Sequence, residues 1–266
     1  ALLIEEKSEG HWSAIVRKAG RIKTGELLEF CSGRLRAVAQ ERLEEGKWLL
    51  SFEEAELLKE RLEEFGLPPL PPYIERRQAS DLQNEEDRER YQTCFASEPG
   101  AIAAPTAGLH FTPEILSAIR KRGIDILEVT LHVGLGTFSS IEVEDIRQHK
   151  MHTEFFSVTS QTLEQLKKYR LNQKKIICLG TTSVRVLETL AQQNFQHSSG
   201  WTDIFIHAPY EFRMMAGLLT NFHLPKSTLM ILVSAFCGRD FLLSAYKQAI
   251  DHNYRFFSYG DCMLIL

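Results

Sequence analysis

Four prolines fall within six residues, Leu67-Pro68-Pro69-Leu70-Pro71-Pro72. Proline fixes its own φ and carries no amide proton, so neither a helix nor a central strand can run through this stretch. It reads as a stiff extended connector. It divides the 266 residues into a short first part and a longer second one. The expected domains are 1–66 and 67–266. A chain of this length can bury a sizeable core without disulfide or metal staples.

The first part has the texture of short strands and turns. Trp12–Val16, Arg21–Lys23, Leu27–Phe30, the alternating Leu35, Ala37 and Ala39, and Lys47–Phe52 are the candidate strands, with Gly20, Thr24-Gly25 and Gly46 between them. Such spacing points to a small antiparallel barrel or meander. The chain opens Ala1-Leu2-Leu3-Ile4 without an initiator Met, as if inside a strand, so a fragment of a longer chain is expected. Glu53–Phe65 is predicted as a helix with Leu58, Leu62 and Phe65 on one face and Gly66 at its end. Asp81–Arg90 is strongly charged and reads as an exposed loop or surface helix.

From residue 100 onward helices alternate with strands. Thr112 caps a helix that has Pro113 in its first turn, Ile115, Leu116 and Ile119 on one face, and Gly123 at its end. Strand Ile124–Val133 follows. Helix Ser160–Tyr169, strand Lys175–Leu179 and a helix carrying Val184, Leu187 and Ala191 come next. Strands are then expected at Thr202–Ile206, Thr228–Val233, Arg255–Ser258 and Cys262–Leu266, with a helix at Asp240–Ile250. Ile176-Ile177-Cys178-Leu179 shows no polar alternation, the mark of a parallel strand buried on both faces. The fold class is α/β, a mixed-sheet or barrel-like catalytic domain joined to a small antiparallel β-barrel domain.

The charge balance, 31 Lys and Arg against 35 Asp and Glu, gives −4. That excludes an overall basic coat but leaves room for one basic face. The five cysteines, none in a C-x-x-C pair, suggest neither a disulfide framework nor a zinc ribbon, and a reducing cytoplasm fits them. Leu229–Phe236, the longest apolar run, is broken by Ser234 and falls short of the ~20 residues of a membrane helix. No membrane association is expected.

Several stretches could carry chemistry. Along Ile124–Val133, Glu128, Thr130 and His132 share one face and Leu127, Val129, Leu131 and Val133 the other. The polar face suits a cavity with a titratable group, or a solvated face of an antiparallel strand. In Val133-Gly134-Leu135-Gly136-Thr137-Phe138 the glycines let the backbone approach a ligand, or make a tight turn. Gly180-Thr181-Thr182-Ser183-Val184-Arg185 joins a buried strand to a helix. Its free amides and Arg185 could hold a carboxylate or phosphate; alternatively Arg185 pairs with a carboxylate such as Glu188.

His149-Lys150-Met151-His152-Thr153-Glu154, with His110, His132 and His223, raises a metal site, but no metal-ligand spacing is present and none is expected. Asn221-Phe222-His223-Leu224-Pro225-Lys226-Ser227 reads as a polar loop. The aromatics of Phe256-Phe257-Ser258-Tyr259-Gly260-Asp261 could stack bases or simply fill the core. Arg120-Lys121-Arg122, Lys167-Lys168 and Lys174-Lys175 are either an RNA footprint or solvated helix ends.

Taken together, these blocks resemble one family. Pro105 through Phe111 (PTAGLHF), Val129 through Phe138 (VTLHVGLGTF), HKMHTE and GTTSVR carry the likeness, with Trp201 through Ile206 (WTDIFI), Leu218 through Thr228 (LLTNFHLPKST) and Tyr254 through Leu266 (YRFFSYGDCMLIL). The set is similar to the S-adenosylmethionine:tRNA ribosyltransferase-isomerases of queuosine biosynthesis from Pro71 to the last residue, and residues 1–66 resemble that family's β-barrel insertion more loosely. The family has a further N-terminal segment that contributes to the catalytic domain, and this sequence begins at what resembles the middle of the barrel.

The resemblance implies a reaction. The ribosyl group of S-adenosylmethionine moves onto 7-aminomethyl-7-deazaguanine at the tRNA wobble position and becomes an epoxycyclopentane, with release of adenine and methionine. S-adenosylmethionine is then a substrate, and no metal is expected. The expected partner is a tRNA carrying the deazaguanine, bound by a monomer.

Residue chemistry supplies candidates for each task. A base must remove a 5′ proton beside the sulfonium, and His132 or His110 is expected there. Asp203 or Asp261 would orient the amine or the ribose hydroxyls. Gly134, Gly136, Thr137, Gly180, Thr181, Thr182, Ser183 and Arg185 are the expected S-adenosylmethionine contacts. His223, Lys226, Phe257 and Tyr259 are the expected RNA contacts. Two other readings compete: a truncated, non-catalytic tRNA-binding relative, and a metal-dependent hydrolase using the histidines.

Overall fold

The computed structural model describes residues 1–17, 19–71, 73–74, 81–134, 141 and 143–266. The chain forms two compact units, Ala1–Arg88 and Glu89–Leu266.

In the first unit β1 (Leu2–Ser8), β2 (His11–Ile15), β3 (Leu27–Phe30), β4 (Leu35–Arg42) and β5 (Trp48–Phe52) form one antiparallel sheet in the order β1-β2-β5-β4-β3. The period-2 pattern of β4 and β5 puts Leu35, Ala37, Ala39, Trp48, Leu50 and Phe52 on one face, where they bury with Ala14 and Leu58. Leu58 opens α1 (Leu58–Phe65). Gly66 ends that helix, donating its amide to the Leu62 carbonyl at 2.8 Å. A Cβ at Gly66 would collide with the same carbonyl. α2 (Asp81–Arg90) runs through the division between the units. Its Arg88 donates to the carbonyls of Glu64 and Gly66, each at 2.7 Å from Nη2, which satisfies acceptors that a helix end leaves open.

The second unit begins with α3 (Pro113–Lys121), capped by the Thr112 hydroxyl, which accepts from the Ile115 amide at 3.4 Å. β6 (Thr130–Leu131), β7 (Glu154–Ser157) and β9 (Ser199–Thr202) form an antiparallel sheet with β7 in the middle. α4 (Ser160–Leu171) follows β7, and Thr159 caps it. β8 (Ile176–Leu179) pairs in parallel with β10 (Met215–Asn221), which pairs antiparallel with β11 (Cys262–Ile265). Between β8 and β9 runs α5 (Gly180–Gln192). Ten of its thirteen residues are buried, because it packs against strands of both sheets. α6 (Thr228–Cys237) and α7 (Arg239–Asp251) meet at Gly238 with a bend of 112°. Among the described residues no single helix is long and apolar enough to cross a membrane.

The architecture is mixed α/β with several sheets, none of which closes among the described residues. Local readings differ from the structure in several places, among them Arg21–Lys23, which is in no strand. Thr228–Val233, expected as a strand, lies in helix α6. A continuous apolar run suits a buried strand and a buried helix equally, and the Ser227 hydroxyl, accepting from the Met230 amide at 3.2 Å, starts the helix. Of Ile124–Val133 only Thr130–Leu131 pairs as a strand. Arg255–Ser258 and most of Thr202–Ile206 form no ladder. β8 is an edge strand, so Ile177 is 48% exposed where burial on both faces was expected.

Candidate active site

The start of α5 organises the polar interior of the second unit. Gly180 has φ +81°, a left-handed conformation that L side chains disfavour. A Cβ there would lie 3.4 Å from Thr182 Oγ1 and 3.7 Å from Ala107. The turn Thr106–His110 therefore lies against this helix end. No side chain caps the helix start. Ser183 Oγ instead donates back to the Leu179 carbonyl at 2.7 Å. An uncapped first turn carries partial positive charge and free amides.

One turn further along, Arg185 is buried and donates through Nη1 to Glu154 Oε2. Glu154 Oε1 accepts the Gly134 amide at 2.9 Å. Alternation along β7 explains the pairing: Glu154 and Phe156 point to the core face, towards α5, and Phe155 points away. Arg185 Nε and Nη2, the side-on edge of the guanidinium, are buried with no partner among the described residues. Leaving buried donors unpaired costs about 1–3 kcal/mol each.

A second cluster stands at the end of β10. Asn221 Nδ2 lies 3.2 Å from His110 Nε2, 3.1 Å from the Phe257 carbonyl and 3.5 Å from that of Gly260. Burial lowers the His110 pKa; Asp261 opposes this and Arg255 adds to it. Asp261 Oδ2 accepts the Arg255 amide at 2.7 Å, which closes the turn. The Tyr259 ring packs edge-on to Tyr91 at 5.5 Å, with the Arg90 guanidinium 5.7 Å from its centre.

The other expected residues are placed as follows. Gly136 and Thr137 lie outside the described residues. Thr181 is buried in the first turn of α5 beside the half-buried Thr182. His132 is on the far side of the β6–β7–β9 sheet from Arg185: its ring is 5.8 Å from that of Phe155, against Gly100. Asp203 is exposed beyond β9. His223 Nε2 is 2.8 Å from the Thr220 hydroxyl, its backbone bonds Tyr246 Oη, and burial pushes its pKa down to about 4. Lys226 is exposed and gives its carbonyl to the Ile141 amide at 2.9 Å. His149 and His207 flank Phe205, each ring 5.1 Å from it. Among the described residues no three His, Cys, Asp or Glu side chains come close enough to hold a metal.

Three residues that the sequence singled out but gave no catalytic or ligand-binding role hold the region together: Glu154, Asn221 and Glu188. The Glu188 carboxylate is fully buried and accepts from the amides of Arg213, Met214 and Met215 and from Tyr210 Oη. It takes no part in pairing Arg185. Glu154 closes the His149–Glu154 block that the sequence singled out, and that was the available signal for it.

A mixed α/β scaffold that keeps an unmatched guanidinium edge near an uncapped helix start, with a histidine close to the same turn, has the chemistry to hold a small polar ligand bearing an anionic group. Comparison with known proteins then names the family. Residues 1–265 match the family described as queuosine biosynthesis protein. S-adenosylmethionine:tRNA ribosyltransferase-isomerases from two strains of Staphylococcus epidermidis are each 46% identical, over all of this chain and 76% of their own length. The crystal structure of an S-adenosylmethionine tRNA ribosyltransferase from Thermotoga maritima is 34% identical, with a TM-score of 0.50, over 99% of this chain and 73% of that one. The chain belongs to the queuosine biosynthesis protein family.

Proposed function

We propose that the site around the start of α5 performs the reaction of an S-adenosylmethionine:tRNA ribosyltransferase-isomerase. S-adenosylmethionine is the ribosyl donor, and 7-aminomethyl-7-deazaguanine in the tRNA anticodon loop receives the sugar. Adenine and methionine leave, and the product is epoxyqueuosine. The protein acts in the cytoplasm as a monomer. Residues 1–66 correspond to the family's barrel insertion, and 67–266 to the catalytic domain.

One observation carries the reading: the buried Nε–Nη2 edge of Arg185, which has no partner among the described residues. That edge accepts a carboxylate through two parallel hydrogen bonds. Glu154 already holds Nη1, which fixes the plane of the guanidinium. We assign this edge, with the amides of Gly180, Thr181 and Thr182, to the methionine carboxylate. Gly134, tied to the same Glu154, borders the site.

The remaining groups take roles by position. A sulfonium acidifies the neighbouring 5′ carbon, and adenine must leave with a proton, so proton transfer is placed at His110 and Asp261. His110 is neutral at neutral pH because burial lowers its pKa. Phe257 and Tyr259 border this cluster and are read as contacts for the unstacked base. His132 and Asp203, though expected at the chemistry, stand apart from it.

The test uses a ligand change, which leaves the fold untouched. Decarboxylated S-adenosylmethionine should bind the wild-type protein about 10- to 100-fold more weakly than S-adenosylmethionine, the worth of a charged hydrogen-bond pair. Equal affinity would remove Arg185 from the carboxylate site. Adenine release from S-adenosylmethionine, dependent on tRNA carrying the deazaguanine, tests the reaction itself.

A further inference from the structure

Two carbonyl oxygens, of Phe257 and Gly260, and His110 Nε2 surround the Asn221 amide nitrogen. A carbonyl oxygen can only accept, so the NH₂ end must face this side. A flipped amide would set its oxygen against two carbonyls. This orientation is kept although Asn221 Oδ1 is left buried with no partner among the described residues. An amide NH₂ has no lone pair to offer, so His110 Nε2 must present one. The ring proton therefore sits on Nδ1, for which no partner is present among the described residues.

We propose that Asn221 is a positioning residue that holds His110 as the neutral Nδ1–H tautomer, making the ring a hydrogen-bond donor to an acceptor atom of the bound nucleoside, a ring nitrogen or a sugar oxygen. In this form the ring has no free lone pair with which to take the 5′ proton. The base is then a different group, and Asp261 is the carboxylate at hand. Asp261 and Arg255 are the charged groups facing the ring; the first favours imidazolium and the second opposes it. A proton at Nε2 would meet the Asn221 NH₂, so Asn221 disfavours imidazolium by geometry. A neutral imidazole used as a donor is an established catalytic device elsewhere. The choice of ligand rests on the proposed function; the tautomer does not.

The experiment is ¹⁵N NMR of the histidine side chains in the full chain, with adenine release measured on the same samples. The wild type should show His110 with an unprotonated Nε2 and a protonated Nδ1 near neutral pH. Asn221→Asp replaces the donor by an acceptor of the same shape. It should move the proton to Nε2, raise the His110 pKa, and lower kcat for adenine release by about 100-fold, the cost of losing one oriented donor, with little change in the KM for S-adenosylmethionine. A protonated Nε2 in the wild type overturns the proposal without any variant. So does an Asn221→Asp protein whose tautomer and pKa are unchanged. The expected tautomer in a wild type that releases no adenine would overturn the functional reading, and the nucleoside-donor role with it, while the tautomer assignment would stand.

Discussion

Glu154 and Arg185, 31 residues apart in sequence, meet as a buried ion pair between the middle strand of one sheet and the central helix. The same carboxylate holds the Gly134 amide. One side chain thus ties the loop after β6 to the second turn of α5, and it leaves the far edge of the guanidinium buried without a partner among the described residues. A buried pair of this kind adds little net stability, because desolvation offsets the attraction. What it supplies is a fixed orientation.

Breaking that pair is costly. Glu154→Ala is expected to destabilise the protein by about 3–5 kcal/mol, since it leaves a buried charge uncompensated. The double variant Glu154→Ala with Arg185→Met should be less destabilised than Glu154→Ala alone. Urea unfolding of the three proteins checks this. A double variant that is weaker still would show that the residues act separately.

Gly180 should tolerate no side chain. At φ +81°, with Thr182 Oγ1 3.4 Å from a Cβ, Gly180→Ala is expected to cost about 1–3 kcal/mol. Affinity for S-adenosylmethionine should fall with it, because the first turn of α5 must tilt. Thermal melts and equilibrium binding measure the two effects, and unchanged values for both would place the ligand elsewhere.

His223 makes stability depend on pH. Burial lowers its pKa from 6.5 to about 4 in the fold. The unfolded chain therefore binds this proton first as pH falls. The contribution of the neutral ring is complete above about 6.5 and is lost progressively down to about 4. His223→Gln should flatten the unfolding free energy across that window, and an unaltered slope would assign the acid sensitivity to other groups.

The two histidines should separate kinetically. His110→Ala is expected to stop adenine release, because the ring stands in the cluster with Asn221 and Asp261. His132→Ala should reduce it far less, since that ring packs on Phe155 across the sheet from Arg185. Single-turnover adenine release from both variants decides the matter; the reverse order would move the reacting centre to the other face of β6–β7–β9.

Local signals carried much of this protein. Thr112, Thr159 and Ser227 each accept an amide at a helix start; two of the helices that follow them were expected from the sequence, the first from its cap and apolar face. The third was not: Thr228–Cys237 is apolar but for Thr228 and Ser234, and without polar alternation no period distinguishes strand from helix. β10 was also hidden. Met215-Ala216-Gly217-Leu218 looks ordinary in sequence, and its place between β8 and β11 depends on partners far along the chain.

The sequence by itself determined the α/β class, the starts of α3 and α4 and the family, since each of these rests on neighbouring residues or on blocks long enough to compare. Only the tertiary structure decided what the polar groups do. It gave Arg185 to Glu154 and left Glu188 to the amides at 213–215; it seated His110 against Asn221 and set His132 across the sheet. The physical reason is that charge pairing and hydrogen bonding act over a few ångströms of space, and residues tens or a hundred positions apart come within that range only once the core has packed.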